Sequence, residues 1–473
     1  MKKILLGVSL CVAMCACNDN ALINEPVQEN ELVMSRSGET PSSDNYTVTP
    51  EMVCKYLNIA RKGKTIDSLT PVIENGDTLA YVAQYTDSLG WDLISGDRRI
   101  PPVLANSNTG VLNLSDTINP AVGAVKGMIY TVKTIKESSE TIKDPIWKVL
   151  EPKEKVVNNK PQARGIGFGK WIALDTTLET DCYTRPHIIT TKWGQDHPWN
   201  TKTPRIQSVS TKVGCVPVAA GQIIYHFRKN NYNGVDLPNN AFYTEYYYDT
   251  ETGVPTFSNK STEPWSNIKL NAQTLQSEND VTCVFLSYLG DQIGMNYGIN
   301  GSTPLSDNIE SVLLNVFKIE SKRTSSFNFN QILANIKAGK PIYACFNGSN
   351  DGHAFIIDAY QHLTESMRVN YMWDPNYELQ EGDEVVEPPM DASSSKDGYA
   401  YREEEISYYE SYSLMMNWGW QGNYDNTSYL ACTSSRWTMD ESPVVRYYSP
   451  HWTVNGHTYS ELNFLLYDLC DSE

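Results

Sequence analysis

The sequence predicts an α+β protein in which helical text comes first and sheet text later. Two observations carry this. From Val216 onward, apolar residues recur at 216, 219, 220, 223, 224 and 227, offsets that make one stripe along an α-helix. After residue 340 the text turns to apolar, strand-like runs: PIYACF, HAFIIDAY, RVNYMW and SYSLMMNW. No internal repeat is apparent.

Taken in order, the chain opens with MKKILLGVSLCVAMCAC. Two lysines lead an apolar run too short to span a bilayer, the pattern of an export signal over residues 1–16. Met14-Cys15-Ala16-Cys17 resembles a bacterial lipobox, and that resemblance implies lipidation of Cys17 and a tether to the membrane by lipid anchor alone. Residues 17–45 are polar and poor in large apolar side chains, as in a flexible tether. A first, small α+β module follows at 46–150. It contains a short helix around MVCKYLNIARKG and a hairpin turning at Asp87-Ser88-Leu89-Gly90. Residues 151–164 carry two prolines and many charges without periodicity, and read as an exposed linker. The second module spans 165–473, with the Val216 helix, further helices around 270–290 and 306–318, and then the strands.

The 473 residues are 40% hydrophobic and 20% charged, the balance of a globular chain long enough for two or three cores. The net charge of −18 and the absence of a dense basic patch argue against nucleic acid as a partner. Beyond the export signal, cysteines stand at 17, 54, 182, 215, 283, 345, 432 and 470. No C-x-x-C pair occurs among them, which argues against a zinc site; no metal or organic cofactor is implied.

Cys215 precedes the helical stripe directly, and Pro217 fits only the first turn, where a missing N–H costs nothing. Cys215 is therefore expected at the helix N-terminus, where the dipole and free N–H groups lower a thiol's pKa. Gly214 lets other backbone come close, and Ala219 and Ala220 let another element press on the helix. A small core residue is the ordinary fate of such a cysteine, so the choice turns on a base.

Seven histidines are available. His226 shares the helix but lies about 16 Å along it, too far to share a proton. His187 and His197 fall in loop-like text, and His451 and His457 in polar text near the C-terminus. His353 heads the apolar run GHAFIIDAY after a polar loop, 138 residues beyond Cys215, within the spacing of papain-like enzymes. Asn417, in NWGW, is a residue type that can hold an imidazole in one tautomer, and Trp418 could keep water from that contact.

These pieces, in this order, resemble the streptopain-like cysteine peptidases, a bacterial papain-fold family. The matching stretches are TTKWGQDHPWN (190–200), GCVPVAAGQIIYHF (214–227), MNYGINGS (295–302), GHAFIIDAY (352–360) and NWGWQG (417–422). The resemblance implies a papain-like fold, its helical part carrying the cysteine and its antiparallel sheet part carrying the histidine and asparagine. It assigns Cys215 as nucleophile, His353 as general base and acid, Asn417 as the group orienting His353, and Trp418 as its shield. The Cys215 N–H would be one oxyanion donor. LAYVAQYTDSLGWDLISGDRRIPPVL resembles the family's inhibitory prodomain, which makes 46–150 an intramolecular inhibitor and 151–164 a cleavable linker, with Lys160 and Arg164 as candidate cuts.

Three features depart from the family pattern. GCVPVA replaces the usual GCVATA. The 64 residues from His353 to Asn417 include an acidic stretch, read as a solvated loop. The papain position for the second oxyanion donor holds Val209, with Gln207 two residues away, so that donor stays open. The expectation is a cysteine endopeptidase acting on protein or peptide substrates, exported and held at the outer membrane or cell surface, or secreted after maturation. The alternatives are a thiol amidase or transpeptidase on the same fold, and a non-catalytic surface glycan-binding lipoprotein.

Overall fold

A computed structural model describes residues 46–116, 119–150, 170–230, 240–248, 255–264, 268–275, 280–346, 352–374, 401–436, 443–454, 457–459 and 462–467. The export signal, Cys17, the 17–45 tether, the 151–164 linker and the acidic residues 375–400 lie outside them.

Helix α1 (Pro50–Ala60) starts where Thr49 accepts the Met52 N–H and proline fills the first turn. Strands β1 (Ile66–Glu74) and β2 (Asp77–Tyr85) form a hairpin closed at Asn75-Gly76, both with positive φ, as a tight right-twisted turn requires. β2 turns through 86–90 into β3 (Trp91–Ser95), the expected hairpin, and β4 (Val103–Ser107) follows. Helices α2 (Pro120–Lys136), capped by Asn119, and α3 (Pro145–Leu150) complete this part.

β5 (Lys170–Arg185) precedes two small hairpin strands, β6 (Arg205–Ile206) and β7 (Val209–Ser210). Helix α4 (Cys215–Asn230) is the Val216 helix. A separate hairpin, β8 (Asn240–Tyr248) and β9 (Pro255–Pro264), leads to α5 (Val281–Ile293). The pair β10 (Met295–Asn296) and β11 (Thr303–Pro304) precedes α6 (Ile309–Phe317), β12 (Lys322–Thr324) and α7 (Phe329–Lys337).

The sheet-forming strands follow: β13 (Ile342–Phe346), β14 (His353–Asp374), β15 (Tyr401–Asn417), β16 (Thr427–Arg436), β17 (Val444–Tyr447), β18 (Trp452–Val454), β19 (His457–Tyr459) and β20 (Leu462–Leu466). HAFIIDAY and RVNYMW, expected as two strands, are one strand, β14. Residues 401–405 of the acidic stretch, expected in a solvated loop, extend β15, where they pair with β14.

The central sheet runs β1-β2-β3-β4-β16-β15-β14-β13-β20-β12, with β17 beside β16 and β5 beside β14, and all its ladders are antiparallel. The first module joins it at β4, where Ser107 faces Thr427. Side chains alternate across a strand, and this divides the interior. Phe346, Phe355 and Ile357 share one core with α2, α7 and Trp452. Tyr343, Cys345, Ala354 and Ile356 share the other with α4, α5 and α6.

Candidate active site

Cys215 is the first residue of α4, and Pro217 lies in its first turn. All six residues of the stripe are buried. Gly214 has φ +92°, and a Cβ there would stand 2.4 Å from the Met295 methyl. Both conformation and space therefore demand glycine immediately before the thiol. The segment ahead is pinned: Val213 N–H donates to the Gln195 carbonyl (2.9 Å), Lys212 N–H to the Gly298 carbonyl (3.0 Å), and Ser302 Oγ to the Lys212 carbonyl (2.7 Å).

The expected lowering of the thiol pKa by the helix start is not what this site displays. Cys215 is half-buried, and burial pushes its thiol above the ordinary value. Backbone N–H groups of Ala354, Cys215 and Val216 pull the other way without prevailing. The helix terminus supplies only partial charges, whereas burial acts on the whole thiolate.

His353 begins β14, and the next residue, Ala354, belongs to the core against which Cys215 packs. The ring itself faces the other core. It lies 6.3 Å from the Phe355 ring, nearly parallel, 6.0 Å from Trp418 and 5.6 Å from Trp452. Among the described residues, no hydrogen bond joins it to Cys215. Burial lowers its pKa to about 4, with the Trp418 carbonyl opposing, so the imidazole is neutral.

Asn417 is expected to orient His353. Its amide oxygen instead accepts from Gln222 Nε2 (3.2 Å) and the Gly419 N–H (3.0 Å), and its nitrogen faces Gln222 Oε1 (3.4 Å) and the Thr191 carbonyl (3.5 Å). His353 Nε2 lies 3.1 Å from the Trp418 main-chain carbonyl, which can only accept, so Nε2 carries the proton. The physical reason is the side-chain alternation: Asn417 turns toward α4, and the next carbonyl is what remains within reach of the ring. The Trp418 indole is fully buried and packs on His353, Phe355 and Tyr429.

Sequence reasoning missed Gln222 and His187. Gln222 is fully buried in α4 and accepts from Thr191 Oγ1 (2.8 Å). A lone amide within the apolar run of that helix was the available signal. His187 lies between the Asp358 carboxylate (2.7 Å) and the Asp425 carbonyl (2.8 Å); nothing local in the text marked it.

Residues 193–378 match the model of the Peptidase C10 family. The chain is 23% identical over 299 residues to streptopain of Streptococcus pyogenes, a match covering 57% of this chain and 65% of the relative. Streptopains of further strains of that species match at the same identity and coverage. The match thus spans just under two thirds of the curated relatives' length. Among solved structures, a prointerpain A fragment of Prevotella intermedia aligns at 17% identity over 85% of this chain and 99% of that one, with a TM-score of 0.44. Active interpain A cysteine protease of Prevotella intermedia aligns at 18% identity over 60% of this chain and 96% of that one, with a TM-score of 0.35. Asn417 and Trp418 fall beyond the family match, whereas Cys215 and His353 lie inside it. Over residues 193–378, the span that holds Cys215 and His353, the chain is thus similar to the Peptidase C10 family and to the streptopains.

Proposed function

We propose that the chain is an exported cysteine endopeptidase made as a latent precursor, with residues 46–150 as its intramolecular inhibitor. In the active form, the Cys215 thiolate attacks a peptide carbonyl, His353 protonates the leaving amine, and water then releases the acyl-enzyme. The N-terminus of α4 and the Cys215 N–H stabilise the oxyanion. Residues 151–164 are the segment cut on maturation, at Lys160 or Arg164, and Cys17 carries the lipid that holds the precursor at the cell surface. Substrates are proteins or peptides.

One observation carries the reading: Cys215 at a helix start, packed against the core that holds Ala354, the residue directly after His353. Latency is supported by the ring's direction. His353 is packed against Trp452, whose Nε1 donates to the Pro120 carbonyl of α2 (3.1 Å). Activation in this reading turns the ring to the Cys215 face once α2 has left.

The test is covalent. The chain without its signal is incubated in reductant with the epoxide inhibitor of papain-like enzymes, and label and chain mass are followed over time. Label on Cys215 is expected, with loss of about 150 N-terminal residues in the unlabelled control and neither event in Cys215→Ala. A Cys215 that stays unlabelled after the first module has been cut away defeats the peptidase reading.

A further inference from the structure

His187 sits in the segment after β5, half-buried, with both ring nitrogens engaged. Nδ1 meets the Asp358 carboxylate at 2.7 Å, and Nε2 meets the Asp425 carbonyl at 2.8 Å. A carbonyl and a carboxylate both accept, so the ring that satisfies both is the imidazolium. Burial opposes that charge, yet the bond to Asp358, its charge and that of Asp425 prevail, and the pKa rises to about 9.

The contacts do not end there. Asp358 is fully buried and sits at the one irregularity of the β14–β15 ladder near the site, between Ile357 and Ala359. Such a bulge re-aims a side chain. Its second oxygen accepts the Ile189 N–H (2.8 Å). On the far side, Asp425 Oδ1 accepts the Trp418 N–H (3.2 Å), and the Trp418 carbonyl faces His353 Nε2 (3.1 Å). A continuous path therefore runs from the bulge through His187, Asp425 and Trp418 to the imidazole of His353. The other charged or titratable groups nearby are Lys192, which acts on Asp425, and His226 of α4, which feels Asp358. Burial also lifts Asp425 to about 7.

A buried ion pair is poor evidence for stability, since apolar residues of similar volume often do as well. This one ends on the peptide unit that holds His353. We propose that His187 is a positioning residue of the thiol site, an imidazolium clamp that fixes the 417–425 loop and, through the Trp418 carbonyl, the orientation and tautomer of His353. The clamp rests on the peptidase reading only for its effect on turnover.

The test uses the full chain with ¹³C-labelled histidine rings, as wild type, His187→Asn and Asp425→Ala. His187 is expected to stay protonated at neutral pH and titrate near 9. In both variants the His353 resonance should shift and its titration move. On a peptide substrate kcat should fall about 10²-fold, the scale of a ~1 Å misplacement, with KM unchanged. Asparagine can keep one bond to Asp358, so His187→Asn should retain more activity than His187→Ala, and its kcat should lose the alkaline limb near 9.

If the folded variants leave the His353 resonance, its titration and the kcat–pH profile as in wild type, His187 is structural only and the proposal fails. If His187→Asn does not fold, Asp425→Ala decides alone, because it cuts the link to Trp418 and leaves the His187–Asp358 pair intact. A His353 resonance that moves in a chain without peptidase activity upholds the clamp and defeats the peptidase reading instead.

Discussion

Cys215 packs on the core that holds Ala354, the neighbour of His353, and both groups are uncharged at rest. Burial raises the thiol and lowers the imidazole to about 4, so no thiolate–imidazolium pair forms in this state. Two predictions belong to these residues. In the full-length chain at pH 7, Cys215 should react with iodoacetamide more slowly than an exposed thiol, and faster once residues 46–150 are removed; rates measured by mass spectrometry check this. An equal rate in both forms would mean that the first module does not hold the site neutral. The second concerns Cys215→Ser in the chain freed of residues 46–150, which should lose on the order of 10⁶-fold in kcat, the scale for removing a nucleophile that acts as one unit with its base. Steady-state assays on a peptide library would show it.

Helix α4 has to hold Cys215 against two neighbours at once. Ile223 is fully buried in its stripe, and a Cβ at Gly221 would stand 3.2 Å from both Leu286 of α5 and Trp193. Ile223→Ala should cost about 2–5 kcal/mol, seen as a lower denaturant midpoint with an unchanged slope. Helix α2 meets the C-terminal strands as closely. A Cβ at Gly123 would stand 1.7 Å from Trp452 Nε1, and one at Gly127 would stand 1.9 Å from the His451 carbonyl. Gly123→Ala should therefore part α2 from Trp452 and speed release of the first module. Limited proteolysis of the Cys215→Ala chain would register it, and a cleavage rate like that of the parent would count against this contact as the latch.

At the scale of the molecule, the two modules share one sheet and one core, and two carboxyl groups lie buried where they meet. Glu365 of β14 accepts from Tyr56 of α1 (3.3 Å), and its second oxygen has no hydrogen-bond partner. Asp144, just before α3, is fully buried with one oxygen likewise unpartnered. Burial lifts both pKa values to about 7. Their folded values exceed their unfolded ones, so their contribution is complete below about pH 4 and is lost as pH rises through 7. The Cys215→Ala chain should melt at a lower temperature at pH 8 than at pH 5. Glu365→Gln should flatten that slope and raise the pH 8 value, and a slope unchanged in the variant would remove Glu365 as its source.

Much of the candidate site was legible because it is local. A stripe at offsets 0, 3, 4, 7, 8 and 11 can be satisfied only by one helical face, and Pro217 only by a first turn; together they put Cys215 at the end of α4 without any knowledge of the rest. The apolar run after His353 similarly marked β14. Helix α2, strand β5 and the β8–β9 hairpin were not foreseen, since α2 is apolar almost all round and β5 is held by pairing with β14 rather than by alternation. The sequence by itself thus determined which residues could do thiol chemistry and which elements carry them. The tertiary structure alone decided that the His353 ring faces Trp418 and Trp452 rather than Cys215, that Asn417 serves Gln222, and that His187 reaches Asp358 and Asp425. The reason is that sheet register and side-chain alternation bring together groups 171 and 238 residues apart, and no local pattern encodes which face of a strand a distant helix will cover.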